Sequence, residues 1–93
     1  MNERELKLQG AKLATANGWI VHSLDDSPGV PDKLYVKQGR AFYVEWKVKK
    51  KGVISTKQYG WRDTIVNNGT PHYFCDDIES FMGILIALEE KWF

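Results

Sequence analysis

The chain has 93 residues and a mass of 10.7 kDa, which is the size of one domain and leaves no room for a second. Hydrophobic residues make up 43% of it and aromatic residues 13%, which excludes a chain that is disordered throughout. Thirteen basic and twelve acidic residues give a formal net charge of +1, so bulk charge does not indicate a nucleic-acid-binding protein. The single cysteine, Cys75, excludes an intrachain disulfide and a cysteine-based zinc site.

The first half of the chain predicts one helix and three strands. Apolar residues recur at helical spacing over 3–16, and an Asn-Gly pair ends that helix. Residues 19–24 are rich in β-branched and aromatic side chains, as a short strand requires. Residues 33–37 and 41–48 predict two strands of a hairpin around the turn at 38–40.

The second half predicts two helices on either side of a strand. Ser55 is a plausible N-cap for a helix that ends near Asn67, residues 72–75 predict a strand, and residues 78–91 predict the last helix. The order α-β-β-β-α-β-α indicates an α/β fold, with a mixed sheet and helices packed against it. We expect one domain over residues 1–93.

The N-terminal segment and the apolar stretches bear on location. The first nine residues are charged and lack the apolar core of a signal peptide, and the longest apolar-rich stretch, 81–88, is too short to span a bilayer. We therefore expect a soluble cytoplasmic protein with no membrane partner.

Alternation along the third predicted strand separates an apolar face from a polar one. The apolar face, which must meet the core, carries Phe42, Val44, Trp46 and Val48. The polar face carries Tyr43, Glu45 and Lys47. Asp32 enters the preceding strand of the hairpin, so strand pairing can bring its carboxylate beside Glu45. Each residue also has an ordinary interpretation, since an aspartate at a strand entry is often a turn residue, and a glutamate and a lysine on an edge strand are often a solvated face.

Two carboxylates and an amine on one patch suit metal-assisted hydrolysis of a phosphodiester. Mg²⁺ and Mn²⁺ prefer carboxylate and carbonyl oxygens and keep several waters. The two carboxylates, Asp32 and Glu45, would repel one another without a cation. The pattern therefore predicts Mg²⁺ or Mn²⁺ as the cofactor and no organic cofactor.

Pro31-Asp32 followed by Glu45-x-Lys47 resembles the PD-(D/E)xK nuclease superfamily. More narrowly, residues 29–32 (GVPD), residues 44–47 (VEWK) and Gln58 are similar to the virus-type replication-repair nuclease (VRR-NUC) family, over about residues 3–77. The resemblance implies a restriction-endonuclease-like α-β-β-β-α-β core, here with an extra C-terminal helix. It also implies a metal-dependent DNA endonuclease from a phage or its bacterial host. Selective cleavage of branched or Holliday-type junctions is known in that family.

The resemblance also implies roles for single residues. Asp32, Glu45 and the backbone carbonyl of Trp46 resemble the metal ligands, Lys47 resembles the catalytic lysine, and Gln58 resembles the assisting glutamine. The family has a further acid on the first helix. Glu3 fits it best, at the edge of the helix's apolar stripe, with Glu5 as the alternative. Trp46 departs from the pattern, because a residue of its bulk requires a core that accommodates it.

Basic residues flank the proposed patch. Lys49, Lys50, Lys51 and Lys57 are candidate phosphate contacts, although a lysine run is often only a solvated loop. Trp61 shares one side of its predicted helix with Gln58 and either packs on the sheet or stacks on an unpaired base.

Partners follow from the C-terminal region. Six apolar residues between 81 and 88, with Trp92 and Phe93, surround the last helix more completely than one buried face requires. They predict a homodimer. The alternative to a DNA nuclease is a non-catalytic module that binds double-stranded RNA or DNA, which explains the lysines but leaves Asp32 and Glu45 without a purpose.

Overall fold

The computed structural model describes residues 1–24, 27–48 and 53–93. The described residues form α1 (Glu3–Ala16), β1 (Ile20–Ser23), β2 (Lys33–Lys37), β3 (Arg40–Trp46), α2 (Thr56–Asn67), β4 (His72–Cys75) and α3 (Ile78–Trp92). The predicted element order is therefore confirmed, and so is the α/β fold class. Each helix begins at a polar N-cap whose side chain accepts a backbone N–H of the first turn: Asn2 for α1, Ser55 for α2 and Asp77 for α3.

The strands form one mixed sheet in the order β1-β2-β3-β4. β1 pairs with β2 and β2 pairs with β3 in antiparallel fashion, whereas β4 lies parallel to β3. A parallel pair needs a crossover connection, which α2 provides. β3 therefore lies between two partners, and the interpretation of Glu45 and Lys47 as residues of an edge strand is wrong. β3 also ends at Trp46, two residues earlier than predicted, since the pairing with β4 ends there.

The core lies between the sheet and the pair α1 and α3. It is built from the predicted apolar face of β3 together with residues from both helices: Leu6, Ala14, Trp19, Tyr35, Phe42, Val44, Trp46, Cys75, Phe81, Leu85 and Leu88. Trp46 has no exposed surface, and its indole N–H donates to the Tyr35 hydroxyl at 3.1 Å. A Cβ on Gly10 of α1 would lie 2.7 Å from the Trp46 ring. The missing side chain at position 10 is what lets the core accommodate so bulky a residue between Glu45 and Lys47.

α3 is only partly covered by the rest of the chain. Phe81, Leu85 and Leu88 are buried, and Trp92 packs against Trp19 with ring centroids 6.4 Å apart. The large apolar side chains of this region that stay exposed are Met82, Ile86 and Phe93, at 42%, 57% and 50%. Less of the C-terminal region is therefore available to a partner than the sequence suggested. Within the described residues, no helix combines the length and the apolar character needed to cross a membrane.

Candidate active site

Asp32 and Glu45 meet where β2 begins and β3 ends. The β2–β3 register pairs Lys33 with Val44, so its continuation by one residue sets Asp32 opposite Glu45. The Asp32 Oδ2 atom accepts the backbone N–H of Trp46 at 2.9 Å, which holds this carboxylate at the end of β3. The sequence-based expectation that strand pairing brings the two acids together agrees with this geometry.

The burial of Glu45 sets the charge of the pair. Glu45 is only 4% exposed. Burial, followed by the negative charge of Asp32, raises the pKa of Glu45 to about 7, against the opposing effect of Lys47. In its protonated form Glu45 hydrogen-bonds to Asp32, which raises the pKa further. At neutral pH, two ionised carboxylates can coexist here only at a cost in free energy that a cation would remove.

Two lysines already place positive charge beside these acids. The Lys47 Nζ atom lies 3.7 Å from Glu45 Oε2, as expected for residues two apart on one strand face. The Lys7 Nζ atom, from α1, lies 3.3 Å from Asp32 Oδ1. The sequence motif did not include Lys7, because the motif has only acids on the first helix. Its position next to the buried Leu6 is the signal that could have found it, since it indicates a side chain at the edge of the packed face.

The two candidate acids of α1 lie in different surroundings. Glu3 is half-buried and stands one turn before Lys7, on the side of the helix that faces Asp32. Glu5 is exposed, and its Oε1 atom accepts a hydrogen bond of 3.0 Å from Asn2, so it belongs to the cap of α1. Among residues 1–24, 27–48 and 53–93, no three Asp, Glu, His or Cys side chains form a group that could hold a metal. Neither glutamate therefore completes a three-acid cluster in this structure, and Glu3 is the better placed of the two.

Gln58 has a structural role at the start of α2. Its side-chain Oε1 atom accepts the Ser55 N–H at 2.8 Å, while its own N–H donates to the Ser55 hydroxyl oxygen at 3.1 Å. This reciprocal arrangement is a capping box. The capping box uses the amide oxygen of Gln58 and does not use its amide N–H donors.

Gly29 brings the loop before Asp32 into contact with α2. Gly29 has a φ of +83°, and a Cβ there would lie 2.7 Å from the backbone of Lys57. Pro31, two residues on, is fully buried. The GVPD segment therefore fixes Asp32 relative to both the sheet and the first turn of α2. Lys57 itself is exposed on that turn, whereas Lys49, Lys50 and Lys51 lie outside the described residues.

The donor set fits a hard divalent cation. Asp32 and Glu45 supply carboxylate oxygens, and Trp46 supplies a carbonyl oxygen from the adjoining backbone, which are the ligand types that Mg²⁺ and Mn²⁺ prefer. In this structure the ammonium group of Lys7 is the counter-charge of Asp32. The raised pKa of Glu45 indicates the same unmet need for positive charge.

A solved structure described as "VRR_NUC domain" is similar to this chain, with a TM-score of 0.77 over 98% of this chain and 97% of that one. The chain has the fold of a VRR_NUC domain. The two sequences are 18% identical, so the likeness concerns the fold. No protein-family model and no curated protein matches the sequence. The fold that the motifs predicted is therefore confirmed as that of a VRR_NUC domain.

Proposed function

We propose that this chain is a metal-dependent nuclease that hydrolyses DNA phosphodiester bonds. The observation that carries the proposal is the pairing of Asp32 with Glu45 beside Lys47, at one end of a VRR_NUC fold. A module that only binds nucleic acid gains nothing from two acids facing a phosphate, because like charges repel. No feature of the described residues favours that alternative.

The cation would be held by Asp32, Glu45 and the Trp46 carbonyl. When bound, Mg²⁺ or Mn²⁺ would lower the pKa of a water molecule at the site and neutralise charge on the phosphate. The backbone N–H of Trp46 keeps Asp32 in place without competing for its other oxygen. Burial of Glu45 excludes bulk water from that side of the site, which strengthens every electrostatic interaction within it.

Lys47 and Gln58 would act on the substrate. The Lys47 ammonium can donate to a phosphate oxygen and stabilise the negative charge that develops during hydrolysis. The amide N–H groups of Gln58, which the cap does not use, can donate to the same or a neighbouring phosphate, while its oxygen stays in the cap. Glu3, which is half-buried one turn before Lys7, is the α1 acid that would orient water or a second cation.

Exposed residues of α2 and α3 bear on the partners. Lys57 is exposed next to Gln58 and can contact a backbone phosphate, and the basic run at Lys49, Lys50 and Lys51 is proposed to extend that contact. The exposed Met82 and Ile86 of α3 are proposed to lie in a homodimer interface. A dimer would carry two such sites, as cleavage of both strands of a branched DNA requires.

Cleavage assays with matched lysine variants test the function. Supercoiled, linear, single-stranded and branched DNAs are incubated with the protein in Mg²⁺, in Mn²⁺ and in EDTA. We expect cleavage in either metal, none in EDTA, and a loss of roughly 10²-fold or more in Lys47→Ala. Asp32→Ala is expected to be equally inactive. Lys91→Ala removes the same charge from the exposed end of α3 and should cut normally.

Circular dichroism keeps the test independent of folding. A folded Lys47→Ala or Asp32→Ala protein that cuts DNA at the wild-type rate would contradict the assignment of that residue. DNA binding that ignores EDTA, with no nicking of any substrate in Mn²⁺, would instead favour the non-catalytic module.

A further inference from the structure

Trp61 lies on the side of α2 that meets the loop before Asp32. Its side chain is 43% exposed, so of the two predicted alternatives, packing on the sheet and stacking on an unpaired base, the structure leaves an indole surface free for the second. It borders a surface groove of about 510 Å³ between α2 and the loop that precedes Asp32. The groove is lined by Pro28, Lys57, Gly60, Trp61 and Thr64.

Gly60 gives this groove its shape. It lies inside α2, where glycine is less favourable than alanine because the unfolded chain has more freedom to lose. A Cβ at Gly60 would meet no described atom within 4 Å, so packing does not require the glycine. The missing side chain does leave room directly beside the neighbouring Trp61. Gly60 therefore lowers the stability of the helix and has no packing role. We take the open space that it leaves beside the Trp61 indole as room for a ligand.

Charge and position indicate what would fill the space. Lys57 is four residues before Trp61, so its ammonium group lies one turn away on the same side of the helix. The first turn of α2 carries no acid, so nothing on it opposes an anion. An aromatic plane with a cation one turn away suits a nucleotide, whose base stacks on the ring and whose phosphate pairs with the lysine. Gln58, of the proposed active site, adjoins Lys57.

We propose that the groove at Trp61 binds one unpaired nucleobase of the DNA strand. This inference rests on the proposed function for the nature of the ligand. A base within a duplex is stacked on its neighbours and cannot offer a face to the indole, so the occupant comes from a single strand, an end or a branch point. The groove would hold that strand while its backbone passes the active site.

Tryptophan fluorescence in EDTA tests binding without cleavage. Trp19 and Trp46 are 2% and 0% exposed, and Trp92 is partly buried against Trp19. The part of the quenching that is lost in Trp61→Phe, which keeps an aromatic ring but no indole, therefore reports on Trp61. A short single-stranded oligonucleotide is expected to quench the emission, and a blunt duplex of the same sequence is expected to quench it far less. The variants lack this indole, so their affinity is measured by the anisotropy of a dye-labelled oligonucleotide in EDTA. Trp61→Ala should weaken single-strand binding about tenfold, the order expected for losing one stacked base, while Trp61→Phe keeps most of it.

A pair of glycine variants separates stacking from stability. Gly60→Ala should raise the melting temperature and yet weaken single-strand binding several-fold, because the new methyl group enters the groove. Gly83→Ala makes the same change in α3, also in open space, and should raise the melting temperature without affecting binding. A merely structural role for position 60 would make the two variants behave alike.

The outcomes distinguish this proposal from the nuclease proposal. Equal single-strand affinity of wild type and Trp61→Ala would overturn the base site, whether or not the protein cuts DNA. Specific single-strand binding that depends on Trp61, in a protein that cuts no DNA in Mg²⁺ or Mn²⁺, would support the base site and reject the nuclease. Sedimentation of Trp61→Ala at a mass different from wild type would show that a second copy fills the groove, and would also overturn the base site.

Discussion

Replacing Glu45 by glutamine should make the metal-free protein more stable at alkaline pH. The folded state holds a proton on Glu45 up to about pH 7, whereas the unfolded chain releases it near 4.5. A raised pKa contributes stability that is complete below 4.5 and is lost as the pH rises towards 7. Above pH 7 the wild-type protein keeps a buried, ionised carboxylate next to that of Asp32. The neutral amide of Glu45→Gln has nearly the same shape, can still donate to Asp32, and never ionises.

The size of the effect follows from the same pKa. Each unit of pKa corresponds to about 1.36 kcal/mol, so the difference between 4.5 and about 7 corresponds to about 3 kcal/mol. Glu45 is 4% exposed, and solvent therefore screens this free energy little. Lys47 and Lys7 both lower the pKa and are already included in it. We expect Glu45→Gln to exceed the wild type by about 2–3 kcal/mol at pH 8.5, and the two proteins to converge near pH 4.5.

Urea denaturation in EDTA at several pH values between 4.5 and 8.5 measures these free energies. Glu90→Gln makes the same substitution at an exposed site in α3 and controls for the general effect of removing one negative charge. Adding Mg²⁺ at pH 8.5 should stabilise the wild type more than Glu45→Gln, because only the wild type keeps both carboxylates. If Glu45→Gln were no more stable than the wild type at pH 8.5 in EDTA, the reasoning from burial and repulsion would be refuted.

Two further predictions concern the supports of the site. Gly29→Ala should cost at least about 2 kcal/mol of stability and also slow cleavage, because it combines a left-handed backbone with a Cβ 2.7 Å from Lys57. Gly39→Ala, with a φ of +79° but nothing within 4 Å, should cost only about 1 kcal/mol, and equal losses in thermal melts would contradict the contact. Lys7→Met should tighten Mg²⁺ binding up to about fivefold in calorimetry, since it removes a cation worth about 1 kcal/mol from Asp32. Weaker binding would instead show that Lys7 helps to form the site.

The sequence predicts the fold well where a local pattern has one solution. The strict alternation over residues 42–47 leaves only one way to bury Phe42 and Trp46, and that orientation presents Glu45 and Lys47 on the opposite face. Ser55 predicts the start of α2 because its side chain satisfies a backbone N–H that the first turn cannot. Such features need no knowledge of distant parts of the chain.

The features that the sequence did not predict depend on how elements pack. Lys7 reaches Asp32 only because α1 packs near the point where β2 begins and β3 ends, and helix propensity contains no information on that packing. The near-complete burial of Glu45 follows from the interior position of β3, which the parallel pairing with β4 creates. Trp61 is large and aromatic, as core residues often are. Its exposure depends on which face of α2 packs against the sheet.

Trp46 belongs both to the core and to the candidate site. Its indole packs against Gly10 and Tyr35 in the core. Its backbone lies between Glu45 and Lys47, and its N–H donates to Asp32. A substitution that shifts the Trp46 ring should therefore lower stability and displace Asp32 at the same time, because one residue makes both sets of contacts.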